Sequence, residues 1–480
     1  MDYHLYFTGL VAIGLIIYSI IKWAMKGDIF HPGLVYSIIN GGIYIVFAFG
    51  PYLYTKPVPE IYCYMYVFII CIFVQGIVLG NARGLRKPVK QIKLTPLRLF
   101  ILYWLLVFLL LMSVVPLIVS TGGSLEGAVQ NRFQGIASAS DISNSNPVRF
   151  VLGNTIASFC QINTALITSA VLWQKRNYQR IPLLIFVNVL SALFSNSRTQ
   201  IIFSLILIFV PTYLVLKERG VIDLSKIKKI LKNIKFIVSF ILIALLAIFI
   251  LIILTNIRSS VISGDLEISS IERIYHAEKK ESFKKFISKL SPELNNPISE
   301  LSLYAGGTVW FGGIATDIVM DSGLNTWGTR TLNPVHRIID RSGLDGGFAK
   351  WARENYKGIV SMGYPGMGFS WWGDPANFIV DYGLIGAPIA AIIIGWIIGW
   401  MYGRISNGGI ILKSTGTVII LLSIILTPAV SPFGFFPNFI NLFLLGLYLV
   451  NKSSKKYSSP YKLTNTNKNK SKYFLLIEKR

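Results

Sequence analysis

Acidic residues are scarce in this chain: 22 Asp and Glu stand against 46 Lys and Arg in 480 residues, a net charge of +24. Charge of either sign is thin, at 14%, where a soluble domain carries about 25%; an ordinary water-soluble domain is excluded. Cysteine is nearly absent. Cys63 and Cys71 share one apolar run and Cys160 lies in another. An odd number of thiols inside such runs builds no disulfide framework, and they read as small packing residues. There is no P-loop and no glycine-rich dinucleotide fingerprint behind a strand, which removes the common nucleotide sites. No basic stretch precedes the first apolar run, so that run reads as a retained helix rather than a cleaved signal.

What is abundant is apolar side chain, 53% of the residues, with a mean hydropathy of +0.58. Runs of about 18 or more apolar residues are long enough to cross a bilayer as helices, and the short alternating strands of a membrane barrel are missing. The fold expected is an all-α polytopic integral membrane protein. Its spans are read at 5–22, 33–54, 61–80, 99–120, 150–172, 182–195, 200–216, 236–254, 378–402, 414–430 and 433–450, eleven in all. This divides the chain into a membrane domain at 1–254 with an outer loop at 121–149, a large loop at 255–377, a three-span membrane domain at 378–450 and a basic tail at 451–480.

Lys and Arg favour cytoplasmic loops, and here the bias is nearly complete. Segments 22–32, 81–98, 173–181, 217–235, 403–413 and 451–480 together carry +25, which leaves −1 for all the rest. The 255–377 stretch is balanced, with thirteen basic and thirteen acidic residues. Alternate loops therefore hold the whole net charge, as a chain with its N-terminus outside and its C-terminus in the cytoplasm requires. The excess of base thus points to membrane orientation and not to nucleic acid; the low-complexity tail rests near anionic lipid. The spans themselves are nearly free of ionisable groups. That weakens an ion-coupled transporter, whose path would need them.

Arginines on the outer side run against the topological bias, so each is a candidate site residue. Arg198, in SNSRTQ, begins a helix at an outer turn, where free N–H groups and the guanidinium together suit a phosphate; contact with lipid headgroups is the equal alternative. Arg258 follows the eighth span directly, and Arg132 and Arg149 lie in the 121–149 loop; taken singly each reads as a lipid-headgroup contact, and together they would give an anionic headgroup several partners. Within 255–377, residues 271–290 carry an apolar stripe at helical spacing and read as an amphipathic surface helix with His276 on its polar face. Segment 333–341, NPVHRIIDR, reads as a helix started by Asn333 and Pro334. It would place Arg337 and Arg341 on one face, suited to a diphosphate, and His336 with Asp340 on another, suited to a general base; a solvated surface helix with internal ion pairs is the equal alternative. Asp317 and Asp321 are spaced like metal ligands, but no third ligand is evident, and no metal or cofactor is expected. Segment 358–377 is rich in glycine and aromatics, which suits either sugar stacking or an interfacial belt.

The stretch 363–386, from GYPGMGFSWWGDPANF to DYGLIG, resembles the motif of the oligosaccharide repeat-unit polymerases, the Wzy-type O-antigen and capsule polymerases. Ser370, Asp374, Phe378, Gly383 and Gly386 fill its places, with aspartate where the family often has glutamate. Ser197, Arg198 and Thr199 resemble a second family feature, and the plan of many spans with one large late outer loop matches as well. The resemblance implies transfer of a growing glycan from undecaprenyl diphosphate to the next lipid-linked repeat at the outer face of the cytoplasmic membrane. In that setting Asp374 or His336 would be the base. Arg132, Arg198, Arg258, Arg337 and Arg341 would hold the diphosphate, and Tyr364, Trp371, Trp372 and Asn377 would face the glycan. Undecaprenyl-diphosphate-linked oligosaccharides and membrane lipid are the implied partners, with a chain-length regulator and a flippase beside them. A ligase of finished glycan and a lipid-linked glycan exporter share the plan and remain alternatives.

Overall fold

The computed structural model describes residues 3–86, 89, 92, 94–120, 122–124, 147–174, 180–194, 198–220, 276–342, 347–363, 372–428 and 430–451. Among these the chain is mostly helical. In order, the elements are α1 (Tyr3–Ser19, continued by a π-helical turn Ile20–Ala24), α2 (Pro32–Phe49), β1 (Tyr52–Tyr54), α3 (Glu60–Gly84), α4 (Pro96–Ser120), α5 (Pro147–Gln174), α6 (Arg180–Phe194) and α7 (Arg198–Glu218). After residues outside the described set come β2 (Ala277–Lys279), α8 (Glu281–Ile287), α9 (Pro292–Ser322), α10 (Asn333–Ser342), α11 (Phe348–Met362), α12 (Asp374–Ser406), α13 (Ile410–Ile425) and α14 (Phe436–Asn451). Six helices are long and apolar enough to cross a membrane: α1 with its π turn, α2, α3, α4, α5 and α12. Three shorter apolar helices, α6, α13 and α14, accompany them. Each expected span with described residues overlaps a helix, but those read at 33–54, 414–430 and 433–450 extend past its ends, and the eighth, at 236–254, lies outside the described residues.

Two apolar clusters meet across α13. Leu412, Ile419, Ile420 and Ile424 face the cluster built by α1, α2, α3, α9 and α12, while Ile411, Val418, Leu421 and Leu422 face the one built by α4, α5, α6 and α7. A helix buried all round needs apolar residues on every side, and α13 has them. The tightest pairing is α3 against α12. Gly76, Gly80 and Gly84 recur every fourth residue on α3; Gly395, Gly399 and Gly403 do so on α12. A Cβ at Gly80 would fall 2.0 Å from the Trp396 carbonyl oxygen, and one at Gly399 would fall 2.1 Å from that of Ile77. Small residues at this spacing let two backbones touch, which is how helices associate where no hydrophobic effect drives them together.

Two expectations are corrected. The span read at 33–54 ends at Phe49; after Gly50 the chain forms β1, which pairs antiparallel with β2, Tyr52 opposite Lys279 and Tyr54 opposite Ala277. For the same reason 271–290 is not one helix: residues 277–279 are spent on the strand, His276 takes a left-handed conformation (φ 45°), and only α8 keeps the helical stripe. The apolar periodicity there was real, but backbone pairing with a distant segment overrode it. Part of the long 255–377 segment also belongs to the core. Val309, Trp310, Phe311, Ile314 and Ala315 of α9 are buried between α2, α3 and α12. Gly312 makes room for this, since a Cβ there would meet the Tyr62 hydroxyl and the Trp372 carbonyl at 2.4 Å.

Candidate functional site at the head of helix α12

Helix α12 begins at Asp374 and carries a break at Gly383 (φ 69°, ψ 178°). Only glycine adopts that conformation cheaply. The break ends the first segment, 374–382, and frees carbonyls that a continuous helix would use. The turn between α9 and α10 fills the gap: the Thr326 N–H donates to the Val380 carbonyl at 3.1 Å and the Trp327 N–H to the Asp381 carbonyl at 3.0 Å. The Asp381 side chain fastens the same turn. Fully buried, it accepts from the Thr331 N–H at 2.6 Å, from the Arg330 N–H at 3.2 Å and from the Thr326 hydroxyl. Thr331 also bonds Tyr382 through its hydroxyl, at 2.7 Å.

Held this way, Arg330 reaches back along the first segment. Its Nε donates to Asn377 Oδ1 at 2.9 Å and one terminal nitrogen donates to the Tyr356 hydroxyl at 3.2 Å. The guanidinium lies 4.3 Å from the Trp372 ring and 5.5 Å from that of Tyr356. No carboxylate pairs with it among the described residues. A guanidinium has five N–H donors, so three remain for a ligand on a half-buried cation braced by two rings. Beneath it, Asp374 is fully buried, accepting from Tyr36 at 2.9 Å and from Ser431. The Asn377 Nδ2 and the Tyr62 and Tyr66 hydroxyls are buried with no hydrogen-bond partner among the described residues.

Of the residues expected from sequence, the structure gathers Asp374, Trp372 and Asn377 here. It alters what two of them do. Trp372 is enclosed and carries a guanidinium on its face instead of offering that face to a sugar, and Asn377 is buried with its oxygen taken by Arg330. Helix α10 forms as expected and packs against α11 and α14. His336 on it donates from Nε2 to the Trp327 carbonyl at 2.7 Å, which leaves Nδ1 buried without a partner. Arg337 lies on the exposed side of that helix. The side chains of Arg149, Arg198, Asp340 and Arg341, and all of Arg132, Arg258, Tyr364, Ser370 and Trp371, lie outside the described residues. Asp317 pairs with Lys56 at 3.3 Å, and among the described residues no group of three His, Cys, Asp or Glu gathers as a metal site would need.

Arg330 was missed by the sequence reading. Its signal was available: it is an arginine in the charge-balanced segment 255–377, where loop charge leads one to expect the outer side, the criterion that selected Arg198. What concealed it was the lack of helical spacing to any partner, because a turn and not a helix presents it. No family model, curated protein or solved structure matches this chain, so the likeness to the repeat-unit polymerases rests on its short motifs.

Proposed function

We propose that this chain is a repeat-unit polymerase acting on oligosaccharides carried by undecaprenyl diphosphate, at the outer face of the cytoplasmic membrane. In that reading eleven spans place the N-terminus and the 255–377 segment outside and the C-terminus in the cytoplasm, with a flippase supplying substrate and a chain-length regulator alongside. The observation that carries it is the uncommitted Arg330 guanidinium, stacked on Trp372 at the head of the helix that holds the polymerase-like motif. A hydroxyl of the acceptor glycan attacks the anomeric carbon of the donor. The new C–O bond forms as the bond to the lipid diphosphate breaks, and the electron pair leaves with the diphosphate. Fixed cationic donors aimed at that developing charge are the largest catalytic contribution such a site can make, and Arg330 supplies three. The proton of the attacking hydroxyl goes to Asp374, reached through the hydroxyl of Tyr36 or Ser431.

Replacing Arg330 by Ala is expected to lower polymer formation by a factor on the order of 10²–10³ while single-repeat lipid accumulates. Arg330→Lys keeps the charge but loses the planar fork and should recover only a small part. Gel profiles of surface polysaccharide read the outcome, and a normal ladder in Arg330→Ala would sink the assignment.

One observation favours a second reading. Asp374 and Asp381 are buried acids within a helix long and apolar enough to cross the membrane, and such groups mark transport paths. A lipid-linked glycan exporter is therefore kept; it predicts translocation in liposomes without glycosidic bond formation.

A further inference from the structure

At the far end of the bundle, α3, α7 and α12 terminate and α13 begins around a cavity of about 310 Å³. Tyr402 and Ser406, which line it, are 28 and 32 residues beyond Asp374 on α12, roughly 40–50 Å along the helix path by its rise per residue. It is thus separate from the Arg330 site. Its wall has an apolar side, Leu85 and Leu214, and a polar side carrying both signs: Asp28, Glu218, Lys217 and Lys413. Asp28 is held by the Tyr402 hydroxyl at 2.7 Å, and Lys217 by the Gly27 carbonyl. Glu218 and Lys413 stand 3.9 Å apart at the rim, with side chains 51% and 33% exposed, too far for a hydrogen bond and open to insertion. Burial raises the Asp28 carboxyl, while the Tyr402 hydroxyl and the two ammonium groups lower it.

We infer that this cavity binds a phosphate ester bearing a primary ammonium, the headgroup of an aminophospholipid. A cavity of this size is in the range of small-ligand sites. Paired cations suit the phosphate, and paired carboxylates suit an ammonium that still has N–H donors to give. The leucine side faces the glycerol and acyl stems, and the ends of two membrane-length helices, α3 and α12, put the opening where such lipids are.

The test uses full-length protein stripped of lipid in detergent, with thermal unfolding read on addition of phosphatidylethanolamine, phosphatidylcholine or phosphatidylglycerol. Phosphatidylethanolamine should raise the midpoint by several degrees. The other two should give less than half that gain, since one has a quaternary ammonium without donors and the other has none. Glu218→Gln and Lys413→Gln, both at the exposed rim, should remove most of the gain and leave the lipid-free midpoint in place. Equal gains from all three lipids in the unaltered protein would overturn the inference whatever the variants do, as would an unchanged gain in both variants. Soluble O-phosphoethanolamine giving the full gain would keep the headgroup chemistry and assign it a water-soluble source.

Discussion

Arg330 donates through two of its five N–H groups to other side chains, and the reason it is aimed so well lies in Asp381. The Asp381 carboxylate receives two backbone N–H groups and a hydroxyl of the 326–331 turn. Asp381→Asn keeps the volume but turns an NH₂ toward one of those donors. Leaving a buried donor unpaired costs about 1–3 kcal/mol, so the turn should loosen while the helices stay. Faster amide hydrogen exchange at Arg330 and Thr331, with unchanged helix content, is the expected outcome; unaltered protection would show that the turn is held by other contacts. A second residue reports on pH. His31 starts α2, accepts from the Gly33 N–H at 3.1 Å and stacks on Trp23 at 4.2 Å; burial first, then the nearby Lys22 charge, pushes it down from 6.5 to about 3. Between those values the unfolded chain takes a proton that the folded one refuses. Stability is therefore complete above pH 6.5 and falls with acid through this window, by about 1.4 kcal/mol per pH unit. His31→Asn, which can still cap, should flatten that part of the profile of unfolding midpoint against pH.

At the scale of elements, the seam between α3 and α12 is the most exposed to a single substitution. Its six glycines put backbone on backbone, and an added methyl at Gly80 or Gly399 would overlap a carbonyl oxygen. Overpacking of this kind costs about 1–3 kcal/mol, and more where the obstacle is backbone. Gly80→Leu should reduce folded yield strongly, while Gly42→Leu, where a Cβ meets nothing within 4 Å, should not; folded yield by detergent size-exclusion makes the comparison. The G-x₃-G-x₃-G spacing on both helices stood in the sequence and could have paired them in advance. The β1–β2 pairing could not have been foreseen, because three-residue strands more than 200 residues apart carry no periodicity of their own, and it is this pairing that cut the expected helix at 271–290 short.

For the molecule as a whole, the proposed orientation separates two sites at opposite ends of α12. Single cysteines introduced at Glu278, in β2, and at Lys26, between α1 and α2, are both exposed and belong to opposite sides under the charge distribution. An impermeant thiol reagent on intact cells should label Glu278→Cys and leave Lys26→Cys unlabelled until the membrane is opened. Labelling in the reverse order would put the Arg330 site in the cytoplasm and remove its lipid-diphosphate substrate. Hydropathy was enough to find the long apolar helices that the structure describes, since it is a sum over many residues and tolerates local error, but not α9 or α11, which lie in the segment read as a loop. The stretch 363–386 overlaps the candidate site at the head of α12, and Asp374 lies in both. Which arginine serves that region was not a property of any local pattern. It follows from the break at Gly383, whose freed carbonyls, together with the Asp381 carboxylate, capture the 326–331 turn and so bring Arg330 to Trp372 and Asn377 across some 50 residues of chain. Sequence determines which segments are apolar enough to cross a bilayer, because each residue's transfer cost is its own. Only tertiary structure decides which buried groups meet, because a hydrogen bond needs two partners and the chain between them sets no distance.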